Sequence, residues 1–241
     1  MADLADNGRS PAPRVRLDGS ESRLLRVVRW LLRRLLRSRA PGGGDIRGLE
    51  LVPRDGPLLI CSNHVSNFDP LVFGACFPRV LHVLTKVELY RNPVVRAFLL
   101  RCNAIPLRRG EADRLALQAG LAVLRSGGAL LLFPEGHRSR GEGVLPFARG
   151  VGYLALRSGA PVVPCAIWGS ERVLPRGRIW PRRGRIWLRV GQPYLPQGRH
   201  LAEVTAEIQA RVEELLPAAY RASADADDLD LEDQSRIGGD A

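Results

Sequence analysis

The sequence predicts an α/β fold: a single domain with a mixed sheet covered by helices, preceded by a basic amphipathic N-terminal helix. Two observations carry this expectation. Short apolar runs alternate with longer segments whose apolar residues recur at helical spacing. Three strands end abruptly in polar residues, and sites in α/β sheets form beyond the carboxyl ends of strands. With 241 residues and 45% hydrophobic content, the chain is long enough for one sizeable core plus tails.

Residues 1–22 are polar and proline-containing and read as a disordered segment. They hold no apolar core followed by a small-residue cleavage site, so a cytoplasmic location is expected. Residues 23–40 form the next unit, with a helix over Arg23–Arg37. Leu24, Leu25, Val28, Leu31, Leu32, Leu35 and Leu36 recur at helical spacing. Arg23, Arg26, Arg33, Arg34 and Arg37 fall mostly on the other face, with Trp30 among them. Such a helix spans roughly 22 Å, short of a hydrocarbon core of about 30 Å. It fits a helix lying in the membrane interface, which places residues 23–37 peripherally on the inner face of the cell membrane. The alternative is an amphipathic helix packed on its own domain.

The Pro41-Gly42-Gly43-Gly44 linker leads into the folded domain, residues 45–220. Apolar runs predict strands over 57–62, 79–85, 103–107, 128–133, 161–167 and 185–190. Helical spacing predicts helices over 70–77, 92–101, 111–126, 148–158 and 201–216. The last has a clear apolar face in Leu201, Val204, Ile208, Val212 and Leu215. Residues 221–241 are acidic and read as a solvated, disordered tail.

The net charge of +11 points to anionic partners, and Lys86 is the one lysine, so the basicity is arginine. Arginine forms bidentate pairs with phosphate. Aromatic content of 6% and the lack of any binding motif argue against nucleic acid as the partner. Cys61, Cys76, Cys102 and Cys165 have neither metal-ligand nor redox spacing and read as buried thiols in a reducing compartment.

The chemistry concentrates at strand ends. Pro57-Leu58-Leu59-Ile60 runs into Cys61-Ser62-Asn63-His64-Val65-Ser66-Asn67-Phe68-Asp69-Pro70. His64 then sits on the turn leaving the sheet, with Asp69-Pro70 as cap and first residue of a helix. A carboxylate near an imidazole fixes its tautomer and raises its basicity, which suits proton abstraction from an alcohol. No Gly-x-Ser-x-Gly elbow accompanies the pair, which favours direct attack by a substrate hydroxyl. The alternative gives Asp69 only the capping role and His64 none. Ile105-Pro106-Leu107-Arg108-Arg109 ends in paired arginines, and Leu131-Leu132-Phe133 ends in Pro134-Glu135-Gly136-His137-Arg138-Ser139. Arg109 and Arg138, from separate strands, suit a phosphate clamp by charge-assisted bonds; the alternative leaves Arg109 a surface arginine. Glu135 and Arg138 have an alternative as a local ion pair. Pro161-Val162-Val163-Pro164-Cys165 is a strand interrupted by proline.

Together these residues resemble the glycerolipid acyltransferases, the 1-acylglycerol-3-phosphate acyltransferase family. Asn63 through Asp69 matches the family's first motif, a His followed after four residues by Asp. Ala104-Ile105-Pro106-Leu107-Arg108-Arg109 is similar to the second, and Phe133 through Ser139 to the third, Phe-Pro-Glu-Gly-Thr-Arg-Ser. Pro161-Val162-Val163-Pro164 resembles the fourth. The resemblance covers roughly residues 45–200. His137 stands where the family has Thr, Asn103 where the second motif often begins with Gly, and Arg149 where Lys is common.

The resemblance implies acyl transfer from acyl-CoA or acyl-carrier protein to a lysophospholipid hydroxyl, without metal or bound cofactor. It implies His64 as general base and Asp69 as its orienting partner. Arg109, Glu135, Gly136 and Arg138 would bind the acceptor's phosphate and glycerol, with Asn63, Ser66, Ser139 and Pro164 as supporting motif positions. Glycerol-3-phosphate and other lysolipids remain alternative acceptors, and a non-catalytic membrane-binding protein of the same fold is a further alternative.

Overall fold

The computed structural model describes residues 45–91, 103–107, 113–139, 143–178 and 180–218, with positions 26, 27, 29, 30, 34, 93, 96, 99 and 220. The expected disordered segment 1–22, most of residues 23–40, the tail 221–241, Arg108, Arg109 and Cys102 lie outside the described residues, as does most of helix 92–101.

Seven strands form one sheet: β1 (Asp45–Arg47), β2 (Leu58–Ser62), β3 (Leu81–Lys86), β4 (Ala104–Leu107), β5 (Ala129–Leu132), β6 (Val162–Trp168) and β7 (Trp187–Val190). The helices between them are α1 (Asp69–Cys76), α2 (Asp113–Arg125), α3 (Gly150–Ser158), α4 (Ser170–Val173) and α5 (Leu201–Glu214). The strand order is β1-β7-β6-β2-β5-β3-β4. All neighbours pair in parallel except β6 and β7, so the sheet is mixed.

The centre of the sheet is β2, with all five residues buried, as a parallel strand covered on both faces must be. Its side chains alternate between two cores. Leu58 and Ile60 pack with Val72 and Phe73 of α1 on one face. Leu59 and Cys61 pack with Leu121 of α2, Leu154 of α3 and Ile208 of α5 on the other. The apolar periodicity of the helices is thereby used: each lays one stripe on the sheet.

The six expected strands and the helices over 70–77, 111–126, 148–158 and 201–216 form within a few residues of their expected bounds. Four points differ. β1 was not expected; it is three residues long, lies at the sheet edge and pairs only with β7, so it has no alternation to read. Its anchor is an ion pair between Asp45 Oδ2 and Arg189 Nη2 at 2.7 Å. α4, a single turn, was also not expected.

The third difference is at Asp69, which is not the cap. Phe68 is the N-cap of α1, Asp69 is the first helical residue, and Pro70 follows it. The Asp69 N–H donates to Ser66 O at 3.1 Å, closing a turn that folds the carboxylate back over the preceding loop.

The fourth is at Pro164, where β6 runs unbroken. Pro164 O accepts Gly191 N–H at 2.8 Å, one residue past the end of β7. Within one residue of a strand, N and O face the same neighbour. The missing proline N–H therefore falls just past the last named pair, Cys165–Val190, where it costs the return bond to Gly191 but none inside the β6–β7 ladder. Asn103 shows a related economy: its φ of 54° lies in the left-handed region that Gly favours and Asn tolerates.

α3 crosses α5 with almost no clearance. A Cβ at Gly152 would lie 2.6 Å from both Leu201 O and Thr205 Oγ1. Gly152→Ala should therefore force the helices apart at a cost of about 1–3 kcal/mol, lowering the melting temperature by about 2–10 °C. Calorimetry on the full-length variant checks this, and an unchanged melting temperature would contradict the packing.

Candidate active site

Three neighbouring strands, β5, β2 and β6, all point the same way and end at one edge of the sheet. Asn63 takes the chain off β2. Its Nδ2 donates to Ile167 O and its Oδ1 accepts Ile167 N–H, both at 2.8 Å. The side-chain amide thus continues the β2–β6 ladder one step past the Ser62–Cys165 pair. His64 follows on a rigidly held backbone.

Asp69 is fully buried. Its Oδ2 accepts Val65 N–H at 2.9 Å, Ser66 N–H at 2.8 Å and the His64 ring Nδ1 at 2.8 Å. Its Oδ1 accepts the Ser170 hydroxyl at 2.5 Å. An ionised carboxylate only accepts, and four donors surround this one. Burial costs a charge several kcal/mol, while hydrogen bonds to a charged group return about 1.5–3 kcal/mol each, so this network can hold the carboxylate in place. Because Oδ2 already takes two backbone N–H groups, the network assigns the ring proton to Nδ1. The lone pair is then on Nε2, which makes no hydrogen bond among the described residues. The ring side chain keeps 17% of its surface exposed. It stacks on Phe133, with centroids 4.3 Å apart.

The loop after β5 clamps the main chain of His64 from both sides. Glu135 Oε1 accepts His64 N–H at 2.7 Å, and Ser139 N–H donates to His64 O at 2.8 Å. Glu135 Oε2 accepts Leu145 N–H at 3.2 Å. Burial pushes the Glu135 carboxyl up to about 8; the two backbone N–H groups pull it down and the Asp69 charge pushes it further up.

The remaining expected site residues divide. Ser66 Oγ donates to Leu174 O at 3.0 Å and accepts Phe68 N–H at 3.2 Å, pinning α4 to the His64 loop. Ser139 Oγ is buried without a partner among the described residues. Gly136, at φ 67°, and His137 are exposed in the turn. Arg138 is half-buried and forms no ion pair with Glu135 among the described residues; its carbonyl accepts the Arg176 guanidinium. Pro164 is buried in β6, away from the strand's carboxyl end. Burial pushes the Cys61 and Cys165 thiols up, so neither supplies a thiolate.

Ser170 was not among the expected residues. It is fully buried and is the sole partner of Asp69 Oδ1 among the described residues. The only signal was its place after an apolar strand, in Trp168-Gly169-Ser170.

A locked Nδ1–H, an open Nε2 and no activated enzyme nucleophile suit a base that works directly on a substrate hydroxyl. A family model described as Acyltransferase matches residues 45–168. The chain belongs to the acyltransferase family. This acyltransferase is similar to the 1-acyl-sn-glycerol-3-phosphate acyltransferase of Bacillus subtilis, 27% identical over 178 residues, which cover 72% of this chain and 88% of that protein. It is 34% identical to the lyso-ornithine lipid O-acyltransferase of Pseudomonas aeruginosa over 157 residues, 64% of this chain and 58% of that protein. Among solved structures, it is similar to the 1-acyl-sn-glycerophosphate (LPA) acyltransferase PlsC of Thermotoga maritima. The TM-score is 0.66 and the identity 27%, over 79% of this chain and 77% of that one.

Glu135 gives the acyltransferase a pH signature. In the folded state it keeps its proton up to about pH 8; the ordinary carboxyl value is 4.5. Folding therefore binds a proton across that interval, and this group's contribution to stability falls as pH rises through it. Glu135→Gln removes the titration. Melting temperatures measured across that interval should decline less for the variant than for the wild type. Identical slopes would contradict the assignment.

Proposed function

We propose that this acyltransferase moves a fatty acyl group from an acyl thioester to the free hydroxyl of 1-acylglycerol-3-phosphate or a related lysophospholipid, giving phosphatidic acid in the first case. The donor is acyl-CoA or acyl-carrier protein. The observation that carries this reading is the His64 ring, locked through Nδ1 to a buried carboxylate with Nε2 left open.

In the proposed reaction, Nε2 takes the proton of the acceptor hydroxyl as its oxygen attacks the thioester carbonyl. The tetrahedral intermediate collapses, the carbon–sulfur bond breaks, and the imidazolium returns the proton to the thiolate. Asp69 stabilises the imidazolium, as the carboxylate does in a triad whose serine is replaced by substrate oxygen. Arg109 and Arg138 hold the acceptor's phosphate, and the Gly136 turn meets its glycerol. Glu135 acts on the acceptor site through the backbone, by setting His64 against that turn. Asn63, Ser66 and Ser139 keep the loops in register. Residues 23–37 hold the protein peripherally on the inner face of the cell membrane. Among the described residues no helix is long and apolar enough to cross a membrane.

A second acceptor has a specific observation behind it. The 34% identity to the lyso-ornithine lipid O-acyltransferase favours a lysolipid of that kind.

The test is incubation of pure protein with labelled acyl-CoA and a panel holding 1-acylglycerol-3-phosphate, glycerol-3-phosphate and lyso-ornithine lipid, with products identified by mass. An acylated 1-acylglycerol-3-phosphate is the expected main product. His64→Ala should lower kcat by at least about 10²-fold, the low end of general-base assistance, with the melting temperature preserved. Near-normal turnover by folded His64→Ala would sink the mechanism. Arg138→Ala should raise KM for the phosphate-bearing acceptor about tenfold, as loss of one charge-assisted contact does. An unchanged KM would remove Arg138 from the acceptor site.

A further inference from the structure

Between α4 and β7 the chain runs through Leu174-Pro175-Arg176-Gly177-Arg178-Ile179-Trp180-Pro181-Arg182-Arg183-Gly184-Arg185-Ile186. No acidic residue occurs from Arg172 to Ala202. Arg176, Arg178, Arg182, Arg183 and Arg185 are all exposed, and among the described residues none of them pairs with a carboxylate. In their midst Trp180 is 78% exposed, the most exposed large apolar side chain among the described residues. An indole combines an apolar body with a polar N–H, and the headgroup region of a bilayer satisfies both.

One side of this loop is fastened to the protein. Arg182 N–H donates to Val173 O at 2.7 Å, and Ile186 is buried. A Cβ at Gly184 would lie 2.8 Å from Val173 Cγ2, so the loop packs tightly on α4. It also borders the active-site loops. Leu174 O accepts the Ser66 hydroxyl, Arg176 donates to Arg138 O, and α4 itself begins at Ser170, the partner of Asp69.

We propose that the 174–186 loop docks the protein onto an anionic lipid surface through its arginines and Trp180, beside the candidate active site. The choice of lipid over nucleic acid rests on the proposed lysolipid acceptor and on this loop's single tryptophan, which offers no row of rings for bases to stack on. Docked this way, the active-site edge faces the leaflet that holds the acceptor. Each arginine near an anionic leaflet strengthens binding about fivefold.

The test is cosedimentation of full-length protein with phosphatidylcholine vesicles made with and without phosphatidylglycerol. The combined variant Arg178→Ser, Arg182→Ser, Arg183→Ser should lose at least about tenfold in affinity for the anionic vesicles. The corresponding triple Lys variant should retain it. Trp180→Ser should weaken binding less, and all variants should keep the wild-type melting temperature. Wild-type affinity in the triple Ser variant would overturn the proposal. So would equal wild-type binding to neutral vesicles, or displacement from anionic vesicles by a short oligonucleotide at lower concentration than the lipid. Vesicle binding is read without substrate, so a protein that docks but acylates no lysolipid would refute the proposed reaction and leave the docking surface standing.

Discussion

The candidate active site is built around one buried carboxylate. Asp69 collects a ring N–H, two backbone N–H groups and a hydroxyl, and each donor fixes a different piece of structure. Val65 and Ser66 wrap the loop around the acid that ends it. Ser170 ties in the chain leaving β6. The share left on Oδ2 orients His64. Removing any one donor leaves a buried acceptor short of partners, a cost of about 1–3 kcal/mol or more for a charged group. The arrangement is therefore rigid, and rigidity is what a base aimed at a transient position requires.

A second carboxyl sits close by with a different assignment. Burial of Glu135 outweighs its two backbone donors and pushes its carboxyl up to about 8. Glu135 acts through the main chain of His64, together with Ser139. Strand order makes this possible. Because β2 lies between β5 and β6, the loops after both neighbours reach the residues that follow β2.

Much of this was legible in the sequence because burial leaves a pattern. Continuous apolar runs marked β2, β5 and β6, and the polar residues that interrupt them marked the site edge. β1 was illegible because a three-residue edge strand has too few positions to alternate. Asp-Pro reads equally as a cap or as a first helical residue. The turn from Ser66 to Asp69 decides which way the carboxylate points, and no spacing rule encodes that turn. The partners of Glu135 are backbone amides, which carry no sequence signature. Ser170 lies 101 residues from Asp69, and only the adjacency of β6 to β2 joins them.

The central claim is that Asp69 fixes His64 as the Nδ1–H tautomer, leaving Nε2 as the base. The most direct measurement is nitrogen-15 NMR of the neutral imidazole in selectively labelled protein, with His64→Ala to assign the signal. The expected spectrum shows a protonated Nδ1 and an unprotonated Nε2 for His64. A neutral ring protonated at Nε2 would contradict the account, because the lone pair would then face Asp69 instead of the substrate.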